Sequence, residues 1–182
     1  MQKRVLILMG IPGIGKTTVL IKAINALKEK GCCVGGIISR EVRESGTRVG
    51  FEILDLSSNR KGWLAHVNQK VGPRVGKYSV NMEDLNNIGA QAIADAIENC
   101  DVIVVDEIGP MELFSAKFKK AVKKALEGYN PVLAVVHWKA QNKLIDLAKK
   151  REDAETIIVT AENREKPILI LVKQIPASKL IP

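Results

Sequence analysis

The octet GIPGIGKT at residues 10–17 constrains this chain more than any other part of its sequence. It follows the pattern G-x-x-x-x-G-K-T, in which backbone N–H groups wrap around the β-phosphate of a nucleotide. In that pattern Lys16 reaches the β- and γ-phosphates, and the Thr17 hydroxyl is a ligand of Mg²⁺. An apolar run at residues 5–9 precedes the octet, and apolar residues recur behind it at helical spacing up to Gly31. A strand, a glycine loop and a helix in that order bring the positive end of the helix to the phosphates, so the octet predicts a nucleoside-triphosphate site.

Strand and helix patterns alternate along all 182 residues, which is typical of a sheet covered by helices on both faces. The strand-like runs at 50–56 and 62–66 have no helix between them, so we expect an antiparallel hairpin inserted at the edge of the sheet. We therefore predict a single α/β domain with three layers over residues 1–182. The other predicted elements are strands at 34–39, 102–105, 131–136 and 156–160, helices near 82–99, 117–126 and 140–150, and a last apolar segment at 168–172.

The positive charge of the chain is compatible with several partners. A net charge of +8 and a sequence pI of about 9.4 would attract nucleotides and nucleic acids alike. Much of the excess lies on one predicted helix, as five lysines opposite an apolar face, and such lysines usually form a solvated surface. Aromatic residues make up only 4% of the chain and no RNA-binding signature is present, so we do not expect a nucleic-acid partner. The five lysines are Lys117, Lys119, Lys120, Lys123 and Lys124.

The lengths of the apolar runs and the pattern of cysteines are informative about membrane association and cellular compartment. No apolar run approaches the ~20 residues that a membrane-spanning helix needs, so we expect no membrane partner. The three cysteines form neither a disulfide framework nor a zinc-binding spacing, and we expect reduced thiols in a cytoplasmic protein. We also expect a monomer.

The run VIVVDE at residues 102–107 is the natural partner of the phosphate loop. An acidic residue at the carboxyl end of a buried strand lies beside the nucleotide crevice of an α/β sheet. Asp106 is therefore expected in the Mg²⁺ coordination shell, directly or through water. Glu107 follows at once and is placed to deprotonate or polarise an attacking water molecule.

Polar residues after two other predicted strands are candidates for the γ-phosphate. His137 ends the strand predicted to lie between the loop strand and the Asp-Glu strand, where it could sense the γ-phosphate, position water or simply cap the strand. Charge on the γ-phosphoryl oxygens is commonly neutralised by an arginine in the same chain, and Arg40, Arg43 and Arg48 follow the second strand. We take Arg48 as the catalytic candidate among them. Trp138 is expected to pack in the core.

Several stretches, in order, make the chain similar to the thermophile-type nucleoside-triphosphatase family. The resemblance implies a P-loop fold with a mostly parallel, RecA-like sheet. It also implies slow, Mg²⁺-dependent hydrolysis of ATP, GTP, CTP and UTP to the diphosphate and phosphate, with broad base tolerance. The stretches are GIPGIGKTT, EVRESGTRVGFEILDL at Glu41 to Leu56, GPRVGKYSV at Gly72 to Val80, VVDEIGPMELFS at Val104 to Ser115 and VTAENR at Val159 to Arg164.

The same resemblance assigns nucleotide contact to two segments. The loop after the late strand is a third, because P-loop proteins often hold the base there, and Asn163 and Arg164 could stack on the base or bond to it. The two segments are Gly10, Ile11, Pro12, Gly13, Ile14, Gly15, Lys16, Thr17 and Thr18, followed by Asp106, Glu107, Ile108 and Gly109.

Two other functional classes stay open at this point. A small-molecule or nucleotide kinase uses the same loop and metal shell, but it needs a second substrate pocket and a lid that excludes water. Residues 40–48 could form such a lid. A nucleic-acid-binding protein regulated by nucleotide is the third possibility, and its support is the net positive charge together with the lysine-rich helix.

Overall fold

The computed structural model describes residues 3–164, and within them the chain forms a nine-stranded mixed sheet with helices on both faces. The strands are β1 (Val5–Met9), β2 (Val34–Glu44), β3 (Thr47–Asp55), β4 (Lys61–His66), β5 (Arg74–Val75), β6 (Tyr78–Val80), β7 (Val102–Ile108), β8 (Val132–Val136) and β9 (Ala154–Ile158). The helices are α1 (Lys16–Glu29), α2 (Met82–Asp84), α3 (Gln91–Asn99), α4 (Ala116–Glu127) and α5 (Lys143–Lys149), and a π-helical segment (Leu85–Ala90) joins α2 to α3.

The strand order is β5-β6-β4-β3-β2-β7-β8-β1-β9. Strands β2, β7, β8, β1 and β9 pair in parallel, and β3, β4, β6 and β5 extend the sheet by antiparallel pairing. Strand β8 lies between β1 and β7, as expected from the sequence. The carboxyl ends of β1 and β7 therefore point to the same edge, where α/β sheets bind ligands.

Alternating side chains of the parallel strands pack on two different layers. On β7, Val104 joins the core cluster that contains Leu20 of α1, whereas Ile103 and Val105 join the cluster that contains Phe118 of α4. Successive residues of a strand point to opposite faces, so a run that is apolar throughout is buried on both sides. This confirms the three-layer fold predicted from the β-branched run at 102–105.

The antiparallel part is larger than the predicted edge hairpin. Strand β2 does not end at residue 39 but continues to Glu44 and turns back into β3 at Ser45 and Gly46. Both turn residues have positive φ, 47° and 79°, which suits the tight turn of a two-residue hairpin. Residues 40–48 are thus mostly paired strand and not a free loop. The short strands β5 and β6 had no signal in the apolar pattern.

Other boundaries move by a few residues. Helix α5 begins at Lys143 instead of near residue 140, because Asn142 caps it by accepting a hydrogen bond from the Leu144 N–H at 2.9 Å. Strand β9 starts at Ala154, two residues before its predicted start. The apolar segment at 168–172 lies outside the described residues. Among the helices of residues 3–164, none combines the length and apolar character needed to cross a membrane.

Candidate active site

The phosphate loop, residues 10–17, connects the end of β1 to the first turn of α1. Gly15 caps α1 with a φ of 100° and no side-chain hydrogen bond, so the first N–H groups of the helix open toward the loop. Residue 10 must be a glycine, because a Cβ at this position would come within 2.9 Å of the Val159 carbonyl oxygen. Lys16 Nζ donates to the Gly10 and Ile11 carbonyl oxygens at 3.0 and 3.1 Å, which holds the ammonium group over the loop. The result is a positively charged cradle suited to phosphate groups.

Thr17 and Asp106 form a pair that fits a magnesium ion. The Thr17 Oγ1 hydroxyl donates to Asp106 Oδ2 at 3.0 Å. Two ligands in adjacent positions of an Mg²⁺ octahedron, each about 2.1 Å from the ion, are separated by about 3 Å, so these oxygens could share one cation. Asp106 is only 2% exposed, and burial raises the pKa of its carboxyl to about 7, with Glu107 adding to the rise. A buried carboxylate of this kind is stabilised by a cation placed beside it.

Glu107 reaches the same groove because the strand is irregular there. In the pairing of β7 with β8, Asp106 lies opposite Val135 and Ile108 opposite Val136, so Glu107 is an extra residue. A regular strand would turn Asp106 and Glu107 to opposite faces of the sheet, and such irregularities redirect side chains. Burial raises the pKa of Glu107, and His137 and Lys16 partly oppose that rise.

His137 lies at the end of β8, within the electrostatic reach of Glu107. Its backbone N–H donates to the Ile108 carbonyl oxygen at 3.1 Å, and its Nδ1 accepts from the Lys139 N–H at 3.3 Å. The imidazole is therefore anchored on one side by its own loop. His137 also lines the groove that holds Lys16 and Glu107. Its contact with a γ-phosphate stays a prediction.

The loop, β7 and β8 enclose a groove of about 390 Å³, which we call the phosphate cleft. It brings together six of the predicted catalytic and metal-binding residues. Arg40 and Arg43 do not line it, and the Ile108 side chain is buried in the core. The six are Lys16, Thr17, Arg48, Asp106, Glu107 and His137.

Arg48 is held in the wall of the cleft by two partners. Its Nε donates to the Tyr78 hydroxyl at 2.8 Å and its Nη1 donates to Glu41 Oε2 at 3.0 Å. The guanidinium carbon also lies 5.2 Å from the centre of the Phe51 ring. These contacts fix the guanidinium against the antiparallel strands. Direct contact of Arg48 with a γ-phosphate stays a prediction.

Glu112 is a cleft residue to which the sequence assigned no role. It lies in a short 3₁₀ turn (Glu112–Phe114) after β7 and is only 4% exposed. Its Oε2 accepts a hydrogen bond from the Gly109 N–H at 3.1 Å. Burial, followed by the negative charges of Glu107 and Asp106, raises the pKa of Glu112 to about 8. A carboxyl group with this pKa is mostly protonated at neutral pH. Its neutral form adds no negative charge beside Glu107 and Asp106.

The two residues predicted to contact the base are placed differently from one another. Asn163 bonds within its own loop, since Oδ1 accepts from the Thr160 N–H at 2.8 Å and Nδ2 donates to the Ile158 carbonyl oxygen at 2.7 Å. The Arg164 guanidinium lies against the phosphate loop, with Cζ 3.9 Å from the position that a Cβ on Gly15 would take. Asn163 therefore shapes its own loop, and Arg164 lies beside the phosphate loop. Contact of either residue with a base stays a prediction.

An apolar recess of about 350 Å³ adjoins the other side of the phosphate loop. Trp138, expected in the core, is 43% exposed and lines this recess, because the chain leaves the sheet after Val136 and carries the ring outward. Hardly any polar surface faces the recess. Its lining residues include Ile11, Ile14, Trp138, Ile158, Thr160 and Ala161.

Two further observations concern possible metal binding and nucleic-acid binding by the described residues. Residues 3–164 hold no group of three or more His, Cys, Asp or Glu side chains able to bind a metal by themselves. A Mg²⁺ ion held by one hydroxyl, one carboxylate, phosphate oxygens and water needs no such group. On the lysine-rich helix α4, Lys124 is 2.8 Å from Glu98 and Lys123 is 3.6 Å from Glu127, so part of its charge is already paired.

Comparison with known proteins shows which family the chain is similar to. A family model described as NTPase matches residues 5–175. The chain is 46% identical over 161 residues to the nucleoside-triphosphatase THEP1 of Thermofilum pendens, covering 87% of this chain and 88% of that protein. It is also 46% identical over 157 residues to the nucleoside-triphosphatase THEP1 of Methanosarcina barkeri, covering 86% of this chain and 88% of the relative.

Solved structures show the same fold. The crystal structure of THEP1 from Aquifex aeolicus superposes with a TM-score of 0.81 at 26% identity, covering 94% of this chain and 98% of that one. The solution structure of a human cancer-related nucleoside triphosphatase gives a TM-score of 0.80 at 33% identity, covering 96% and 98%.

Proposed function

The chain belongs to the NTPase family, and from that membership we propose that it removes the γ-phosphate of ATP, GTP, CTP and UTP with the help of Mg²⁺. The enzyme is a nucleoside-triphosphatase, a hydrolase that acts on phosphoanhydride bonds. The identity of its substrates, its use of Mg²⁺ and its tolerance of different bases are the proposed part.

One observation supports the proposal most strongly: Lys16, the Thr17–Asp106 pair and Glu107 all line the phosphate cleft. The three groups match the three needs of γ-phosphate hydrolysis, which are charge neutralisation, a metal site and a base. In a cleft partly closed to water, their electrostatic effects are stronger than in bulk solvent.

The residues divide the work in the following way. N–H groups of the phosphate loop and of the first turn of α1 bind the β-phosphate, and Lys16 neutralises charge that develops on the γ-phosphoryl oxygens. Glu107 accepts a proton from the attacking water, and burial of its carboxyl raises its basicity. Thr17 and Asp106 would hold Mg²⁺, which would supply further positive charge for the phosphate groups. Arg164, beside Gly15, adds a positive charge to the outer side of the phosphate loop.

Broad base tolerance is supported by the apolar recess beside the phosphate loop. A site discriminates strongly between bases when buried polar groups must be paired by one of them, and the recess offers few such groups. The exposed Trp138 ring gives any base a surface for stacking, and stacking depends little on which base it is.

The test is phosphate release from the four ribonucleoside triphosphates with no acceptor present, with Mg²⁺ and with EDTA. We expect turnover of all four, and its loss in EDTA. Lys16→Ala should lose tight triphosphate binding and turnover, whereas Lys28→Ala, an exposed lysine of the same helix, should match the wild type. Turnover that depends strictly on an added acceptor would contradict the hydrolase proposal.

A further inference from the structure

The phosphate cleft continues past Lys16 and Glu107 into a space covered by the antiparallel strands. Val75 of the edge strand β5 and Asp106 of the central strand β7 line the same groove, so the antiparallel part of the sheet curves over the carboxyl ends of the parallel strands. We call this covered space the side chamber. The apolar residues that line the groove on this side are Phe51, Leu64, Val75, Pro110 and Met111, and the buried Glu112 lines the same groove.

The size of the groove exceeds what hydrolysis requires. A water molecule takes about 30 Å³ of liquid volume, so one attacking water needs less than a tenth of the roughly 390 Å³ in the cleft. The γ-phosphate takes a further part. The full volume falls within the range of about 300–1,000 Å³ that is usual for small-molecule sites.

The composition of the walls indicates what the side chamber can hold. Phe51, Leu64 and Met111 present carbon surface, which binds water weakly and favours the apolar body of an organic molecule. At its rim the Glu41–Arg48 ion pair, with a distance of 3.0 Å, offers charged groups to a polar substituent. Apolar walls with a few polar groups at one end are typical of ligand sites and serve no purpose for a single water.

We propose that the side chamber binds a small alcohol with an apolar body, whose hydroxyl can take the γ-phosphoryl group in place of water. This inference rests on the proposed function, because it uses the same loop, metal pair and Glu107. The alcohol oxygen forms a bond to the γ-phosphorus while the bond from that phosphorus to the bridging oxygen of the β-phosphate breaks. The hydroxyl proton passes to the Glu107 carboxylate, and the products are a nucleoside diphosphate and a phosphate monoester.

The transfer step is tested by product ratios with benzyl alcohol and 1-hexanol as probes. Hydrolysis yields diphosphate and inorganic phosphate in equal amounts, so any transfer leaves a deficit of phosphate matched by a monoester signal in the ³¹P NMR spectrum. We expect that deficit with the wild type. Val75→Trp, which fills the side chamber, should return the ratio to one, and Val71→Trp should keep the deficit because Val71 is 78% exposed and outside the cleft.

Equal amounts of diphosphate and phosphate in the wild type, with both probes, would overturn the transfer step even if a variant failed to fold. A binding measurement separates this outcome from a failure of the proposed function. Ligand-observed NMR with a non-hydrolysable ATP analogue should show both alcohols binding to the wild type and to Val71→Trp, with at least a tenfold loss in Val75→Trp. If the alcohols bind equally to all three proteins, or do not bind to the wild type, the proposed alcohol site is overturned. If they bind as expected but the protein turns over no nucleotide, only the proposed function is contradicted.

A second, independent inference concerns two cysteines at the opposite edge of the sheet. Cys33 lies just before β2 and Cys100 just before β7, and β2 and β7 are neighbouring parallel strands. Their Sγ atoms are 2.8 Å apart, closer than two unbonded sulfur atoms normally approach. Two hydrogen bonds connect Asp101 to the Cys33 backbone. The Asp101 N–H donates to the Cys33 carbonyl oxygen at 2.9 Å, and Asp101 Oδ2 accepts from the Cys33 N–H at 2.8 Å.

We infer that Cys33 and Cys100 form a reversible disulfide. With a small-molecule disulfide as oxidant, the exposed Cys33 thiolate attacks one of its sulfurs and releases one thiol. Cys100 then gives up its proton and displaces the second thiol from the mixed disulfide, so two protein thiols are oxidised and one disulfide is reduced. Burial raises the pKa of the Cys100 thiol to about 11, which makes this second step depend on the short distance between the sulfurs.

Equilibration of the full chain with oxidised glutathione tests the pair. We expect a loss of two of the three thiols, a mass lower by two hydrogen atoms, and a Tm higher by on the order of 10 °C, since the bond closes a long loop. Cys32→Ala should behave in the same way, and Cys33→Ser should not. Retention of all three thiols in the folded wild type, or a mixed disulfide that persists on Cys33, would overturn the inference.

Discussion

Glu107 faces the phosphate cleft only because β7 is irregular at that residue. The side chain after Asp106 would otherwise point to the helix layer on the other face of the sheet. Its position beside His137 and Lys16 makes it the base of the proposed reaction.

Glu107→Gln keeps the size and polarity of the side chain but removes the proton acceptor. We expect nucleotide affinity close to that of the wild type and a turnover lower by roughly 10²–10⁴-fold. Single-turnover phosphate release together with equilibrium binding measures both. The control is Glu127→Gln, an exposed acid at the end of α4. An unchanged rate in Glu107→Gln would move the base elsewhere, with His137 as the next candidate.

Glu112→Gln tests the buried acid of the cleft through the pH dependence of stability. The pKa of Glu112 is raised to about 8 in the folded protein, above the ordinary value of about 4.3 in the unfolded chain. The folded state therefore binds this proton more tightly, and the contribution of Glu112 is fully present below about pH 4 and is lost as the pH rises toward 8.

Glutamine cannot lose a proton, so the variant should gain stability relative to the wild type by on the order of 2–4 kcal/mol between pH 5 and pH 8. Urea unfolding at both pH values gives the difference. A difference that stays constant with pH would show that Glu112 is ionised in the folded protein.

Some residues of the cleft could be predicted from the sequence and others could not, and the difference has a physical reason. Lys16, Thr17 and Asp106 belong to patterns fixed by local chemistry, so their side chains could be predicted to meet. Glu112 stands among polar and apolar residues of a short turn, and only the fold shows that its own side chain is buried in the wall of the cleft. The contacts of Arg48 with Glu41 and Tyr78 join three separate strands, and no local pattern encodes them.

At the scale of elements, α4 is held to the sheet mainly by its apolar face. Phe118 is fully buried there, in the same cluster as Ile103 and Val105 of β7. Phe118→Ala should lower the free energy of unfolding by about 3–5 kcal/mol, because it removes a large buried ring and leaves a cavity. Chemical denaturation measures the loss. Phe114→Ala is the control, since that ring is 47% exposed and should cost far less. Equal losses would contradict the packing described for α4.

Apolar periodicity predicted the parallel strands and long helices well and the antiparallel extension poorly. A β-branched run such as 102–105 has only one way to bury both faces, which is a central parallel strand. Residues 40–44 of β2 comprise four charged residues and one apolar residue, and this hairpin carries three arginines in all, so its sequence favoured a loop. Strands β5 and β6 have two and three residues, too few for any period to emerge.

At the scale of the whole molecule, the parallel and antiparallel parts of the sheet contribute different walls of the cleft. The parallel strands carry the phosphate loop, the Thr17–Asp106 pair and Glu107 at their carboxyl ends, where this class of sheet binds its ligands. The antiparallel strands curve over the same edge and form the far wall of the cleft. Such a cover limits the water that reaches the reacting phosphate, and it gives the proposed alcohol site its apolar walls.

The central claim is that water attacks the γ-phosphorus, and oxygen labelling tests it most directly. ATP is hydrolysed in H₂¹⁸O with Mg²⁺ and no acceptor, and both products are examined by mass spectrometry. Attack by water on the γ-phosphorus predicts one ¹⁸O atom in the inorganic phosphate and none in the ADP. Label in the ADP would mean attack on the β-phosphorus, and the absence of labelled phosphate would mean that water is not the acceptor; either result contradicts the account.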